Sequence, residues 1–443
     1  MKKAIKSLDE FAVVAAEIER FPREMDRIDA FCECVLSPEA VPASLLSGDP
    51  FSVAYREACK DFLGSISGGE NYSPEVSERS DFLDGFSGDH YVPSVYRYED
   101  SRMLGDSFSA AGSILQIMNV RKGDSVLEYG AGDGQISLAL ARMGCDVWVI
   151  DIDERYLEII QRQAKALGVN INTVKGLFGD GIDGKQFDRV LFYEAFHHSL
   201  DHAHVLARLR SVVKPDGKIL LAGEPVIPQN DYWRQIVPFA WGPRLDGLSL
   251  RAMRNYGWCE LGFQREYFVE RMMRSGWLVK FTKCHATARG DIYVAEQYGD
   301  AVNVADPSYV IESSAGDDGW YPGEGNARWT RGSASIGIDD SRRTESIELT
   351  LHNFLPIDRN VTIARGECLE KIKIRAGRAQ PVIVGASDAG RLSIQCDQIR
   401  ISDVIRGSTD DRSVGVAVSL LKYIGPSRCI VNRPNRQSET LVR

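Results

Sequence analysis

Three groups of residues carry chemistry in their types and spacing. The first is the run Glu128-Tyr129-Gly130-Ala131-Gly132-Asp133-Gly134, followed seventeen residues past Gly134 by Asp151. Gly130, Gly132 and Gly134 let a strand-to-helix turn pass close to a ligand without Cβ clashes. The helix that follows offers free N–H groups to an anion. Asp151, at the end of a second strand, can accept hydrogen bonds from both hydroxyls of a ribose. Glu128 ends the first strand, where it can influence a ligand ammonium. Together these residues suit a nucleoside-type cofactor, whereas the loop taken alone reads equally as a tight structural turn.

The second group is Glu194-Ala195-Phe196-His197-His198-Ser199-Leu200-Asp201. Four of the seven histidines lie within residues 197–204. An imidazole here is a natural general base. Adjacent side chains rarely share one pocket, so the base is either His197 or His198. In the alternative reading neither is a base: one caps the next helix and the other packs. Glu194 is a substrate-binding candidate at the same place. Glu224, in Gly223-Glu224-Pro225 at another strand end, orients an acceptor hydroxyl or supports the base, with a structural salt bridge as the alternative. The third group lies in residues 227–262, where Tyr232, Trp233, Trp241, Tyr256 and Trp258 mix with Arg234, Arg244, Arg251 and Arg254. Flat aromatic faces beside forked donors suit sugars. Tyr232, Trp233, Trp241 and Arg244 are therefore substrate-binding candidates, with lid core as the alternative. A divalent metal on His197, His198, Asp201, His202 and Glu224 is not favoured, because the cluster lacks a recognised ligand spacing.

Alternating strands and helices must position these groups. The pattern predicts strands at Ser125–Tyr129, Cys145–Ile150, Ile171–Lys175, Phe187–Tyr193 and Lys218–Ala222. Helices are expected over Gly134–Met143, Asp153–Leu167, stopped by Gly168, and His202–Val213. A further helix is expected at Phe263–Ser275. Trp277–His285 and Asp291–Gln297 then read as a hairpin. This alternation specifies an α/β fold with a doubly wound sheet. Residues 1–95 read as a helical N-terminal region, residues 96–300 as the α/β domain, and residues 305–443, with short alternating strands between turns, as an all-β sandwich.

The loop spacing G-x-G-x-G places Gln135 where a dinucleotide fingerprint needs its third glycine, which favours S-adenosylmethionine (SAM) over NAD. Residues 100–297 resemble the class I SAM-dependent methyltransferases. The resemblance rests on Val126–Gly134 as a first motif, Val149-Ile150-Asp151-Ile152-Asp153 as a second, Phe187–Glu194 as the fourth strand and Lys214-Pro215-Asp216-Gly217-Lys218 as the turn before the fifth. It implies a seven-stranded sheet, Ile152 against adenine and Tyr193 lining the methionine pocket. The family's usual adenine-reading acid would fall near Leu177, so Phe178 or Asp180 takes that role. Gly319–Glu324, Ala327–Thr330 and Asp411–Val418 resemble a β-sandwich module attached to bacterial surface-polysaccharide enzymes, although Gly323 stands where that module often has proline. Trp320, Arg328 and Trp329 read as readily as a packed corner as a sugar site.

Composition narrows the partners. The 443 residues carry a net charge of −9, with 44% hydrophobic and 26% charged residues. That balance argues against a broadly nucleic-acid-binding surface. No apolar run approaches the roughly 18 residues of a membrane span. The basic start, Met1–Lys6, leads into acidic residues rather than a signal-type segment. Nine scattered cysteines without a C-x-x-C pair read as reduced thiols of the cytoplasm. The resemblances imply O-methylation of a sugar, nucleotide-sugar or glycan in surface-polysaccharide synthesis. N- or C-methylation of another small metabolite, and glycan binding on a degenerate methyltransferase fold, are the alternatives.

Overall fold

Ser125–Tyr129 is buried along its whole length, as a strand covered on both faces must be. It forms the centre of a sheet in the computed structural model, which describes residues 3–68, 72–79, 101–228, 235–306, 308–311 and 319–425. The chain divides into two compact units, Met1–Tyr298 with Ser308–Ala315, and Gly299–Pro307 with Gly316–Arg443.

In the first unit the sheet strands are β1 (Ser125–Tyr129), β2 (Asp146–Asp151), β3 (Asn172–Lys175), β4 (Phe187–Tyr193), β5 (Val213–Ala222), β6 (Trp277–Thr282), β7 (Ile292–Gln297) and β8 (Tyr309–Val310). Their order is β8-β6-β7-β5-β4-β1-β2-β3. The sheet therefore has eight strands where seven were expected. The eighth is a two-residue strip pairing Val310 with Val279 and Tyr309 with Lys280, too short to carry a period-2 signal. Strands β1 to β5 run parallel, and β7 enters antiparallel between β5 and β6. In register, Tyr129 stands beside Ile150 and Phe192, and Tyr193 beside Ala222. The chain thus leaves β1, β2, β4 and β5 along one edge, where the candidate residues lie.

Alternate residues of β1 feed two cores. Val126 packs with Ile136, Leu138 and Leu140 of helix α1 (Gln135–Met143) and with Leu157, Ile160 and Ala164 of α2 (Glu154–Leu167). Leu127 and Tyr129 share a core with Val205, Leu206 and Leu209 of α3 (His202–Val212) and with Tyr267, Phe268 and Met272 of α4 (Arg265–Arg274). The strand Leu261–Gln264 opens what the sequence pattern reads as the start of that last helix; there Phe263 pairs with Trp241 in a small three-stranded sheet.

The helices of residues 1–95 add Phe11, Tyr55 and Phe62 to this second core. Tyr55 donates its hydroxyl proton to the Trp241 carbonyl at 2.9 Å. The N-terminal region therefore shares a core with the α/β unit. It also contains a short parallel pair, Lys3–Ile5 with Cys34–Leu36.

The second unit is strand-rich. Trp320–Glu324, Ala327–Thr330, Ala417–Ile424, Ser346–Asn353 and Arg378–Val384 form one sheet, which Ala301–Asn303 extends, and four strands form another. Trp320 donates Nε1–H to the Ser335 carbonyl, and Arg328 donates to the carbonyls of Val304 and Asp306. Both side chains are buried, as is Trp329, which suits a packed corner.

The turn into α1 places Gly134 at φ 76°, and a Cβ there would meet Ile160 Cγ1 at 2.7 Å. Gly134→Ala is expected to lose about 1–3 kcal/mol of stability, from left-handed strain plus overpacking. Chemical denaturation of the full chain measures it, and an unchanged midpoint contradicts this packing.

Candidate active site

A cavity of about 460 Å³ opens at the strand edge of the first unit. Glu128, Gly130, Ala131, Gly132, Asp151, Ile152, Phe178, Tyr193 and Glu194 line it, and so does His198. Gly130 sits at φ 62°, and a Cβ there would crowd Ala195 and Phe178 at 3.1 and 3.2 Å. Gly132 faces open space. The loop therefore forms a cradle that only small residues leave open.

Two carboxylates form its floor. Glu128 is 2% exposed and accepts a hydrogen bond from Ser137 Oγ on α1. Burial pushes it up to about 7 against the pull of that hydroxyl. Asp151 is 6% exposed and its Oδ1 accepts the Asp153 N–H at 2.9 Å. Burial lifts it also to about 7. Buried carboxylates are costly unless partnered. An ammonium and a ribose supply the charge and donors they want, so these residues fit SAM. Two cofactor candidates stand off the wall. Gly134 is the N-cap of α1, packed on Ile160. The Asp180 carboxylate turns back to accept the Leu177 N–H at 2.8 Å, while its carbonyl accepts the Tyr129 hydroxyl. Phe178 packs edge-on against Tyr129 and Phe192.

After β4 the chain makes a single 3-10 turn, Phe196–His198. The Glu224 carboxylate, wholly buried, accepts the backbone N–H groups of Ala195, Phe196 and His197 at 3.1, 2.9 and 3.0 Å. It also lies 2.8 Å from His197 Nδ1. Burial raises Glu224 to about 7 despite these donors. Glu224 thus holds the turn from behind and does not line the cavity. His197 is likewise behind the wall, and burial drives its pKa well below the ordinary histidine range. His198 is the member that faces the cavity. Its Nδ1 lies 3.2 Å from the Glu78 carboxylate. Burial disfavours its cation, but Glu78, Glu260 and Glu224 outweigh that and raise it to about 9.

The substrate candidates scatter. Glu194, at φ 49°, forms a two-pronged ion pair with Arg289 at 2.9 and 2.5 Å. Trp241 is core: its Nε1–H goes to the Pro50 carbonyl, and its ring packs on Tyr55 and His202. Arg244 is ion-paired with Glu260 rather than aimed into the cavity. Tyr232 and Trp233 lie outside the described residues. The rest of the cavity wall is built instead by residues that include Tyr72, Glu78, Trp258, Arg56 and Lys60. Trp258 belonged to the aromatic-rich insertion and was the one available signal. Glu78 and Tyr72 come from a distant helical region whose sequence gives no sign of a site.

Residues 126–217 match the family described as "Methyltransferase domain". The chain is 32% identical over 102 residues to a ubiquinone biosynthesis O-methyltransferase of Azorhizobium caulinodans, covering 23% of this chain and 40% of that protein. A ubiquinone biosynthesis O-methyltransferase of Coxiella burnetii is 28% identical over 102 residues, covering 23% and 44%. The match thus spans about two fifths of the length of these relatives. Among solved structures, the 1,6-didemethyltoxoflavin-N1-methyltransferase of Burkholderia thailandensis, with 1,6-didemethyltoxoflavin and S-adenosylhomocysteine bound, is similar at a TM-score of 0.32 and 19% identity, over 45% of this chain and 81% of that one. Residues 126–217 thus form a methyltransferase domain, and the residues lining the cavity fit SAM as its cofactor.

Asp151→Ala is expected to weaken SAM binding by about 1.5–3 kcal/mol, the range for a charged hydrogen-bonding partner. The ionised carboxylate is the form that accepts both hydroxyls. With Asp151 near 7, SAM affinity in the native chain should rise as pH increases through 7 and fall below it. Calorimetry across that range, beside a shallower profile in the variant, where Glu128 still titrates, tests the assignment.

Proposed function

We propose that this chain is an O-methyltransferase whose acceptor is a hydroxyl of a sugar, nucleotide-sugar or glycan in bacterial surface-polysaccharide synthesis, acting in the cytoplasm. The observation that carries the reading is that His198, backed by Glu78, faces the same cavity as Gly132 and Asp151. When bound, SAM supplies an electrophilic methyl group on its sulfonium. Glu128, Gly130, Gly132, Asp151, Ile152, Phe178 and Tyr193 hold it. A hydroxyl is a weak nucleophile and must lose its proton as it attacks. The His198–Glu78 wall takes that proton, on Glu78 or on the neutral form of His198, which grows as pH rises toward 9, and the wall also orients the acceptor oxygen. Trp258 offers a ring face beside His198, at 6.1 Å between centroids, where a sugar ring can stack. The similarity to ubiquinone biosynthesis O-methyltransferases supports oxygen as the methylated atom. The resemblance of the C-terminal strands to modules of polysaccharide enzymes supports the glycan.

His198→Ala should lower turnover by about 10²–10⁴-fold at saturating SAM. His197→Ala should act indirectly, through the turn. Mass spectrometry of sugar nucleotides and glycans after incubation with SAM reads the product. A His198→Ala variant that folds, binds SAM and keeps full turnover contradicts the acceptor site. Methylation found on nitrogen or carbon instead supports the alternative chemistry.

A further inference from the structure

We infer that His197, His198 and Glu260 bind a divalent transition-metal ion of the zinc class at the cavity wall. One ligand-capable atom from each lies within 4.8 Å of the others. The sequence could not suggest this set, because Glu260 comes sixty-two residues after His198. The neighbours that sequence spacing offered are otherwise engaged. Asp201 pairs with Arg56, His202 is 2.7 Å from the Tyr267 hydroxyl, and Glu224 sits behind His197.

Geometry favours the ion in two ways. With Nδ1 of His197 held by Glu224, its Nε2 faces Glu260 at 3.7 Å. That is too long for a hydrogen bond. It is close to the roughly 3.3 Å between two ligands of a tetrahedral zinc ion with bonds of about 2.0 Å. Adjacent histidines seldom share a pocket, yet here the 3-10 turn sets the two rings 4.4 Å apart between centroids. The supporting shell has the pattern of a metal centre, in which a carboxylate orients each ligating imidazole and a further group holds the ligating carboxylate. Glu224 orients His197, Glu78 lies beside His198, and Arg244 grips Glu260.

Charge points the same way. Three carboxylates, Glu78, Glu224 and Glu260, are gathered here with side-chain exposures of 13%, 0% and 9%. Arg244 is the guanidinium that answers them. A ligating imidazole is neutral, so in the metal-bound form the three carboxylates and Arg244 leave two negative charges, which a divalent ion balances. Imidazole with carboxylate suits zinc, manganese or nickel better than magnesium, whose preferred ligands are oxygens.

Because His198 and Glu78 line the cavity, an ion there would keep a position open toward the acceptor. This consequence rests on the O-methylation reading. The ion contributes Lewis acidity. The acceptor O–H bond breaks, its proton passes to the Glu78 carboxylate, and the oxygen pair forms the O–CH3 bond while the methyl–sulfur pair stays on sulfur.

The test uses the full chain, stripped with a chelator and titrated with zinc chloride, then with cobalt(II) chloride for its ligand-field absorption. One equivalent should bind. His198→Gln and Glu260→Gln should each weaken binding at least about tenfold while SAM affinity by calorimetry is retained. A wild-type chain that binds SAM but no zinc or cobalt overturns the inference. So does binding that neither substitution weakens. Metal binding lost in the variants, with no O-methyl product from the wild type, supports the site and removes the acceptor reading.

Discussion

The Glu224 carboxylate is the constraint on which the rest of the site depends. A turn that leaves a parallel strand inside a protein must satisfy its backbone donors without a following helix. Here one buried side chain from the neighbouring strand accepts three successive N–H groups and faces an imidazole. The turn is thereby fixed, and with it the direction in which His198 leaves the chain. Gly223, at φ 67°, is part of the same device. A Cβ there would strike Glu194 at 2.8 Å and the Arg289 carbonyl at 2.9 Å. The glycine lets the two strand ends approach closely enough for Glu224 to reach across.

How much of this was legible depends on how local each feature is. The cofactor loop and Asp151 are contiguous with their strands, so periodicity, glycine spacing and the terminal acids locate them together. The strands Ser125–Tyr129 and Phe187–Tyr193 stand at the bounds their sequence predicts. The acceptor wall is assembled by tertiary contact. Glu78, His198 and Trp258 are brought together from three stretches far apart in the chain. Trp241 and Arg244 show the converse limit. An aromatic or arginine side chain in an insertion has the same sequence signature whether it meets a ligand or fills a core. Burial decided Trp241, which gives its indole proton to Pro50, and the Glu260 carboxylate, just before the strand Leu261–Gln264, decided Arg244.

The boundary of the N-terminal region illustrates a related point. Its helices have ordinary apolar spacing, with Phe11, Val14, Ala15 and Ile18 buried on one face. Such a stripe announces that something will cover it, not what. Phe11 of that face meets Phe31 of the next helix at 6.3 Å between ring centroids, and the insertion after β5 closes on the same region: Arg251 pairs with Glu19 and Glu24, and its guanidinium lies 5.2 Å over the Phe31 ring. A helical leader and an insertion thus complete each other on the face of the sheet that carries α3 and α4. The acceptor wall is formed where they meet the strand edge.

This division explains the electrostatics of the cavity. Local rules for a stable interior are broken at both of its ends. At the cofactor end, Glu128 and Asp151 are buried and each held up near 7. At the acceptor end, Glu78, Glu224 and Glu260 crowd two imidazoles around one guanidinium. Buried charge without full compensation costs stability, and proteins concentrate that cost at functional sites. The cost falls when a ligand brings the missing charge. An ammonium and a sulfonium arriving beside Glu128 favour its ionised form, so cofactor binding relieves the strain the fold has built in. The methyl group is given up by a cation and leaves behind a neutral thioether. The cation and the thioether both keep the ammonium that suits Glu128, so an acidic cavity distinguishes the two only through the sulfonium charge.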